Sequence, residues 1–231
     1  MKKPILLSVL YVLAPAISPA QIPANATPAV RATGTASVFV QPDQAIVDAT
    51  VTTRATTAQA AASQNATQTA SVLSALTQLL GSGANIKTVN YSITPNFMYP
   101  PNAATPTLLD YSASNTVEVT LSSVTTVGSV IDTAVQAGAT SVGGVRFSLK
   151  DPEPSRSQAL QQAATTAKAH ANAMATALGR TVGTIVLIQE NSTAQPVVPV
   201  IAAAGAAAPA TPIMSGQIEI DANVLLEASL N

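Results

Sequence analysis

Side chains that commonly carry chemistry are sparse in this chain of 231 residues. The single histidine, His170, lies beside Lys168 in a segment with helical periodicity, and there is no cysteine. A lone histidine without neighbouring Cys, His or carboxylate partners lacks the ligand and base arrangements of metal and catalytic sites. We therefore expect His170 to be a structural or surface residue. The missing cysteines exclude zinc sites built on thiolates.

Two groups of carboxylates were considered for acid–base chemistry of the glycosidase type, which needs a facing pair. Glu219 and Asp221 lie two apart in a strand-like segment and so point the same way, with Glu227 further along that face. Such a pattern is usual on the solvated side of a half-exposed strand, which is the interpretation we favour. Asp151 and Glu153 stand at the start of a predicted helix, where the macrodipole stabilises negative charge.

Known catalytic motifs are missing from the sequence. Gly81-Ser82-Gly83 resembles a nucleophile elbow only superficially, because it follows a helix rather than a strand. No phosphate-binding loop and no dinucleotide-binding glycine pattern follows any predicted strand. We predict that the protein is not an enzyme, with no catalytic, metal-binding or cofactor-binding residue and no cofactor.

Composition argues against a nucleic-acid partner. Only 9% of residues are charged, and the chain has no tryptophan. Without Lys2 and Lys3, the chain has eight basic and eleven acidic residues. Phosphate neutralisation and base stacking both lack the residues that they require.

The amino terminus has the pattern of a cleavable signal peptide over residues 1–20. Lys2 and Lys3 precede a short apolar run, and small residues end it before Gln21. The run is shorter than the roughly 20 residues that span a bilayer, and we expect no transmembrane span in the mature chain. Residues 21–32 are predicted to be a flexible leader, and residues 33–231 one domain. The predicted location is periplasmic or associated with the cell surface.

Hydrophobic periodicity predicts an α+β fold with the order ββαββαβαββ. We expect one or more mixed sheets with helices packed on one face. Residues 184–189 have apolar side chains on both faces, which favours a central strand. The predicted buried faces of the two long helices are Ala58, Ala62, Ala66, Thr69, Leu73, Leu76 and Leu80 for the first, and Leu160, Ala163, Ala167, Ala171, Met174 and Leu178 for the second.

Residues 191–215 form a long, uncharged segment rich in proline and alanine. A connection of this length inside a compact domain is usually functional or disordered. Val197, Val198, Val200 and Ile201 favour burial, so we expect an arm that packs on a neighbouring subunit, with a mobile loop as the alternative.

Five segments in register resemble the SIMPL-domain family. The first two are Thr33–Val38 with Pro42–Ala45, similar to an opening strand pair, and Tyr111–Val119, similar to a central "Y-x-A-S-N" strand. The others are Gly128–Asp132 with Gly138-Ala139, the alanine-rich stretch Ala159–Gly179, and Thr211–Ile213 with Gly216–Ile218. Ser215 departs from the usual proline, and the long helix has fewer charges than is typical.

The resemblance implies an exported bacterial protein without attributed catalytic residues. Family members are periplasmic or surface-associated; some are immunogenic, some form large rings, and some are linked to oxidative-stress tolerance. We therefore expect a self-associating periplasmic scaffold or binding module, with a role in the envelope or in stress tolerance. The alternative is an outer-membrane-associated channel or assembly component. A hydrolase using serine and His170 has no supporting motif.

Overall fold

The computed structural model describes residues 28–99, 105–191 and 211–231. Seven strands and three α-helices follow the predicted order, which confirms the α+β class. The elements are β1 (Ala29–Val40), β2 (Gln44–Ala55), α1 (Ala58–Leu80), β3 (Asn85–Met98), β4 (Thr107–Leu121), α2 (Val127–Gln136), β5 (Ser141–Ser148), α3 (Glu153–Ala177), β6 (Val182–Glu190) and β7 (Ile218–Leu230). The predicted signal peptide, the start of the leader and residues 192–210 lie outside the described residues. The rest of the leader enters β1, which begins at Ala29.

The strands form two sheets, ordered β1-β7-β6 and β3-β4-β2-β5. Every pairing in them is antiparallel, so the expectation of mixed sheets is corrected. The reason lies in the crossovers. Helix α1 joins β2 to β3, and α2 joins β4 to β5, but in each case another strand is inserted between the two. Strands that run in the same direction are therefore never neighbours.

Strands β1 and β2 are separated by residues 41–43 only, yet they enter different sheets. Both strands were predicted, and the short connection between them turns the chain from one sheet to the other. Asp43 fixes this connection, because its Oδ1 accepts a hydrogen bond of 2.8 Å from the backbone N–H of Lys150.

The four-stranded sheet carries the larger core, with α1 and α2 on one face. The buried face of α1 differs from the prediction and consists of Ala61, Asn65, Thr69, Val72 and Leu76. Asn65 is fully buried and donates from Nδ2 to the carbonyl oxygens of Val51 (2.8 Å) and Ala113 (3.0 Å). The amide thus joins α1 to two strands, and it belongs inside because its donors are satisfied.

Helix α3 lies on one face of the three-stranded sheet, mainly over β1 and β7. Its buried stripe is made of alanine alone: Ala159, Ala163, Ala167, Ala171 and Ala175. The predicted members Met174 and Leu178 are exposed. The small stripe lets the helix approach so closely that a Cβ on Gly34 of β1 would lie 2.1 Å from the Ala163 carbonyl oxygen.

Strand β6 lies at an edge of its sheet, which corrects the prediction of a central strand. Its apolar side chains on both faces are exposed, because α3 reaches mainly β1 and β7. Among the described helices, none is long and apolar enough to cross a membrane.

Candidate functional site

His170 links α3 to the first strand. Its Nδ1 lies 2.8 Å from the carbonyl oxygen of Thr33, a distance at which a protonated Nδ1 donates a hydrogen bond. The ring borders a shallow, open groove lined by Arg31, Ala32, Thr33, His170, Ala173 and Met174. This geometry gives the ring a role in holding the helix on the sheet.

The β7 carboxylates lie on the sheet face opposite α3. Glu227 Oε2 accepts a hydrogen bond of 2.6 Å from Nη2 of Arg31, and Asp221 Oδ1 accepts one of 2.5 Å from Ser37. Glu219 stands opposite Phe39 in the pairing of β1 with β7. Because Asp221 and Glu227 each have a partner on β1, the row serves cross-strand pairing rather than presenting two facing acids.

The carboxylates at the start of α3 serve the helix terminus. Asp151 Oδ1 accepts a hydrogen bond of 3.0 Å from the backbone N–H of Glu153. Arg156 lies one turn after Glu153, and its Nη1 is 3.7 Å from Glu153 Oε1. Its Nη2 is 2.7 Å from Oε1 of Glu190 in β6. The bond to Glu190 raises the pKa of the Arg156 guanidinium.

An ion-pair network crosses the face of the four-stranded sheet that α1 and α2 leave open. Arg146 of β5 contacts Asp48 at 2.5 Å and Glu118 at 2.9 Å, and Glu118 also contacts Lys87 at 2.9 Å. The hydrogen bond to Asp48 is the main cause that raises the pKa of Arg146. Both carboxylates in the network face cations, so it resembles a structural clamp more than a reactive pair.

In the described ranges, no group of three His, Cys, Asp or Glu side chains could hold a metal ion. The surfaces that stand out are apolar instead, and one of them is the end of the β3–β4 hairpin. Strand β2 ends its pairing with β4 at Tyr111, whereas β3 stays paired with β4 as far as Met98 and Thr107. The hairpin therefore continues as a two-stranded ribbon.

We call the apolar residues of this ribbon the hairpin tip: Phe97, Met98, Tyr99, Leu108 and Leu109. They are between 43% and 76% exposed. Just inside the tip, Asn96 braces the ribbon by donating to Asp110 Oδ1 (2.5 Å) and Ser112 Oγ (2.6 Å). Sequence reasoning missed this surface. The available signal was large apolar residues on both sides of a proline-rich loop.

Residue Thr211, where the chain resumes after residues 192–210, is fastened to α2. Its backbone N–H and its Oγ1 both donate to the Asp132 carboxylate, at 3.2 and 2.6 Å. Two segments far apart in sequence are thereby joined. Asp132 belongs to α2, which follows β4, and Thr211 belongs to the segment that leads into β7.

Comparison with known proteins identifies the family of this chain. The sequence profile of SIMPL, described as a protein of unknown function (DUF541), matches residues 30–227. The chain belongs to the SIMPL family. In this chain, Gly34 permits the close contact of β1 with α3, and the hydrogen bonds between Thr211 and Asp132 join the segment before β7 to α2.

Two of three similar curated proteins have names that refer to location and antigenicity. A 26 kDa periplasmic immunogenic protein of Brucella melitensis is 29% identical over 211 residues, covering 86% of this chain and 84% of that protein. The protein of the same name from Brucella abortus matches to the same extent. Uncharacterized protein YggE of Edwardsiella ictaluri is 29% identical over 173 residues, covering 75% of this chain and 71% of that protein.

Proposed function

We propose that this SIMPL-family protein is an exported, periplasmic, non-enzymatic scaffold or binding module that works by self-association. The periplasmic location is supported by the names of the Brucella relatives and by the signal-like residues 1–20. A contribution to envelope integrity or oxidative-stress tolerance rests on the family resemblance alone.

The observation that carries self-association is the hairpin tip. A two-stranded ribbon is marginal in water, and one that exposes five large apolar side chains gains most by burying them. Burying the exposed part of each of these five side chains would contribute about 1 kcal/mol to the free energy of association. The tip therefore supplies enough free energy to change an association constant by several orders of magnitude, since each 1.4 kcal/mol is about tenfold.

Light scattering coupled to size-exclusion chromatography tests this proposal. The variant Phe97→Ser/Leu109→Ser removes two tip side chains, and Leu178→Ser removes a more exposed apolar side chain from the end of α3 as the matched control. We expect the wild type and the control to elute as the same oligomer, and the tip variant as a smaller species with unchanged circular dichroism. A wild type that is monomeric, or a tip variant that assembles normally, contradicts the proposal.

The second candidate is an outer-membrane-associated channel or assembly component. The tip favours it as well, because residues 88–109 carry no charged side chain and an uncharged apolar tip can enter lipid. Flotation with liposomes of neutral and of anionic lipid distinguishes the two candidates. Wild-type protein that floats, with Phe97→Ser/Leu109→Ser remaining in the dense fraction, favours the membrane role.

A further inference from the structure

The apolar surface of the β3–β4 hairpin extends inward from the hairpin tip along β3. Polar and apolar residues alternate strictly over residues 90–97. Tyr91 and Ile93 stand opposite Asn115 and Ala113 of β4, on the sheet face that carries α1. They are 50% and 39% exposed, because α1 lies mainly over β2 and β4. We call Tyr91 and Ile93 the inner strip.

The inner strip and the hairpin tip form one continuous apolar face. Phe97 lies four residues after Ile93 and therefore points to the same side of β3, with Leu108 opposite it. The charged residues nearest in sequence, Lys87 and Asp110, both belong to the other face of the sheet. Two copies of this face can therefore meet without bringing like charges together.

The free edge of β3 is poorly suited to strand addition, so a partner must use the face. Pro95 lies within the strand, where a proline has its nitrogen on the unpaired side and leaves no N–H to donate there. A register shift between Thr88 and Asn90 adds a bulge, which is a further device that keeps edges from pairing.

The size of the apolar face favours a reversible contact. From Tyr91 to Met98 it is about 25 Å long, and its two strands make it about 10 Å wide. An apolar patch of a few hundred Å² commonly marks an interaction site. It is smaller than the roughly 800 Å² that each partner contributes to a stable complex. We therefore expect association that depends on protein concentration.

The position of α1 favours a second copy over lipid as the cover of the inner strip. Asn65 of α1 donates to the carbonyl oxygen of Ala113, which is the cross-strand partner of Ile93. The helix therefore stands directly beside the strip, and with a diameter of about 10 Å it rises above the strip. A flat bilayer that rests on α1 does not reach the strip, whereas the narrow hairpin of a second copy does.

We propose that two copies of this protein pack their hairpins face to face and antiparallel, so that the tip of each covers the inner strip of the other. A two-fold axis near Pro95 produces this contact, because it sets Ile93 of one copy opposite Phe97 of the other. One contact then buries the tip and the strip of both copies and closes as a dimer. The inference rests on the proposed self-association through the tip, and it adds the surface that receives the tip.

Neighbouring residues of β3 give matched variants with opposite expected results. Tyr91→Ser and Ile93→Lys alter the inner strip, whereas Thr94→Lys introduces the same charge at an exposed position on the other face. In analytical ultracentrifugation, we expect Thr94→Lys to associate like the wild type and each strip variant to have a dissociation constant raised about tenfold or more. Circular dichroism checks folding, and Tyr91→Ser supplies the result if Ile93→Lys does not fold.

The outcomes separate this inference from the proposed function. A monomeric wild type contradicts both. If Phe97→Ser/Leu109→Ser dissociates while Tyr91→Ser and Ile93→Lys associate normally, self-association through the tip stands and the inner strip is overturned as its receiving surface. Equal weakening by Thr94→Lys overturns the inference as well, because the effect would then not depend on the face. An oligomer with an odd number of subunits contradicts the two-fold contact.

Cross-linking tests the antiparallel arrangement directly, because the natural chain has no cysteine. The Ile93→Cys and Phe97→Cys proteins are treated with a short bismaleimide, each alone and as an equal mixture. We expect cross-linked dimers to form about tenfold faster in the mixture, because the contact holds the two positions of different copies side by side. Thr94→Cys mixed with Phe97→Cys is the control and should react at the slow rate. Equal rates in all samples would overturn the inference.

Discussion

Replacing Gly34 by alanine is expected to destabilise the three-stranded sheet strongly. The added Cβ would lie 2.1 Å from the Ala163 carbonyl oxygen and 2.2 Å from the Ala167 nitrogen, where ordinary contact is 3.4–4 Å. Both obstacles are backbone atoms, so α3 must retreat by about 1 Å, which forfeits a quarter to a half of the dispersion energy at each contact along the stripe. We expect a loss of about 3 kcal/mol in the free energy of unfolding, at the upper end of overpacking effects.

One opposing effect is too small to reverse this sign. Gly34 does not have a positive φ, so alanine can adopt its backbone conformation. The reduced entropy of the unfolded chain would then stabilise the variant by only about 0.4–1 kcal/mol. The net cost therefore stays at about 2 kcal/mol, a large share of the 5–15 kcal/mol that is typical of a native protein.

Urea denaturation followed by circular dichroism measures this change, since the chain has no tryptophan. With a slope of about 2–3 kcal/mol per M, the midpoint should fall by about 1 M. Gly144→Ala is the matched control, because Gly144 also lies in a strand but its Cβ would meet no atom within 4 Å. Equal midpoints for Gly34→Ala and the wild type would refute the argument from close packing.

Three further predictions concern single residues or the mature terminus. Asn65→Leu should lower the free energy of unfolding by about 2–4 kcal/mol in urea denaturation, because two strand carbonyls lose their donor. Asn65→Gln is the control that keeps an amide. A Leu variant as stable as the wild type would contradict the role of this amide. His170→Ala should leave assembly and any cellular phenotype unchanged and lower stability by about 1 kcal/mol, the value of one hydrogen bond; loss of function with an unaltered melting curve would reveal chemistry at this histidine. The mature protein should begin at Gln21, which amino-terminal sequencing of periplasmic material checks; an intact Met1 on that material would contradict a cleaved signal peptide.

The sequence was sufficient to predict the element order, because strand and helix periods differ and the breaks between them are marked by glycine. The three helices are followed closely by Gly81, Gly138 and Gly179, each of which has a positive φ. A glycine pair also marks an irregular strand, because the pairing of β2 with β5 shifts at Gly143-Gly144, before Val145.

Buried helix faces were harder to predict because the largest apolar residues were assumed to point inward. In α3, close contact at Gly34 leaves room only for alanine, so Met174 and Leu178 remain outside. In α1, the buried positions include Asn65 and Thr69, whose polar groups are satisfied by partners that sequence alone does not reveal.

The position of a strand within its sheet depends on distant pairing, which local periodicity does not encode. Residues 184–189 have the composition of a central strand, but only the pairing of β1 with β7 decides that β6 lies outside. The hairpin tip was overlooked for a related reason, since only the end of β2 shows where the ribbon loses its support.

The pairing of the first described strand with the last also constrains how the protein can fold. Arg31 and Glu227 are joined although 196 positions separate them in the chain, whereas the four-stranded sheet and its helices come from one continuous stretch. Contacts between distant residues form slowly, because a long loop must close first. The four-stranded unit can therefore form early, while β1 waits for the 13 residues of β7. Until that last strand is available, the other sheet has no centre, and both of its edge strands lack the partner that they share.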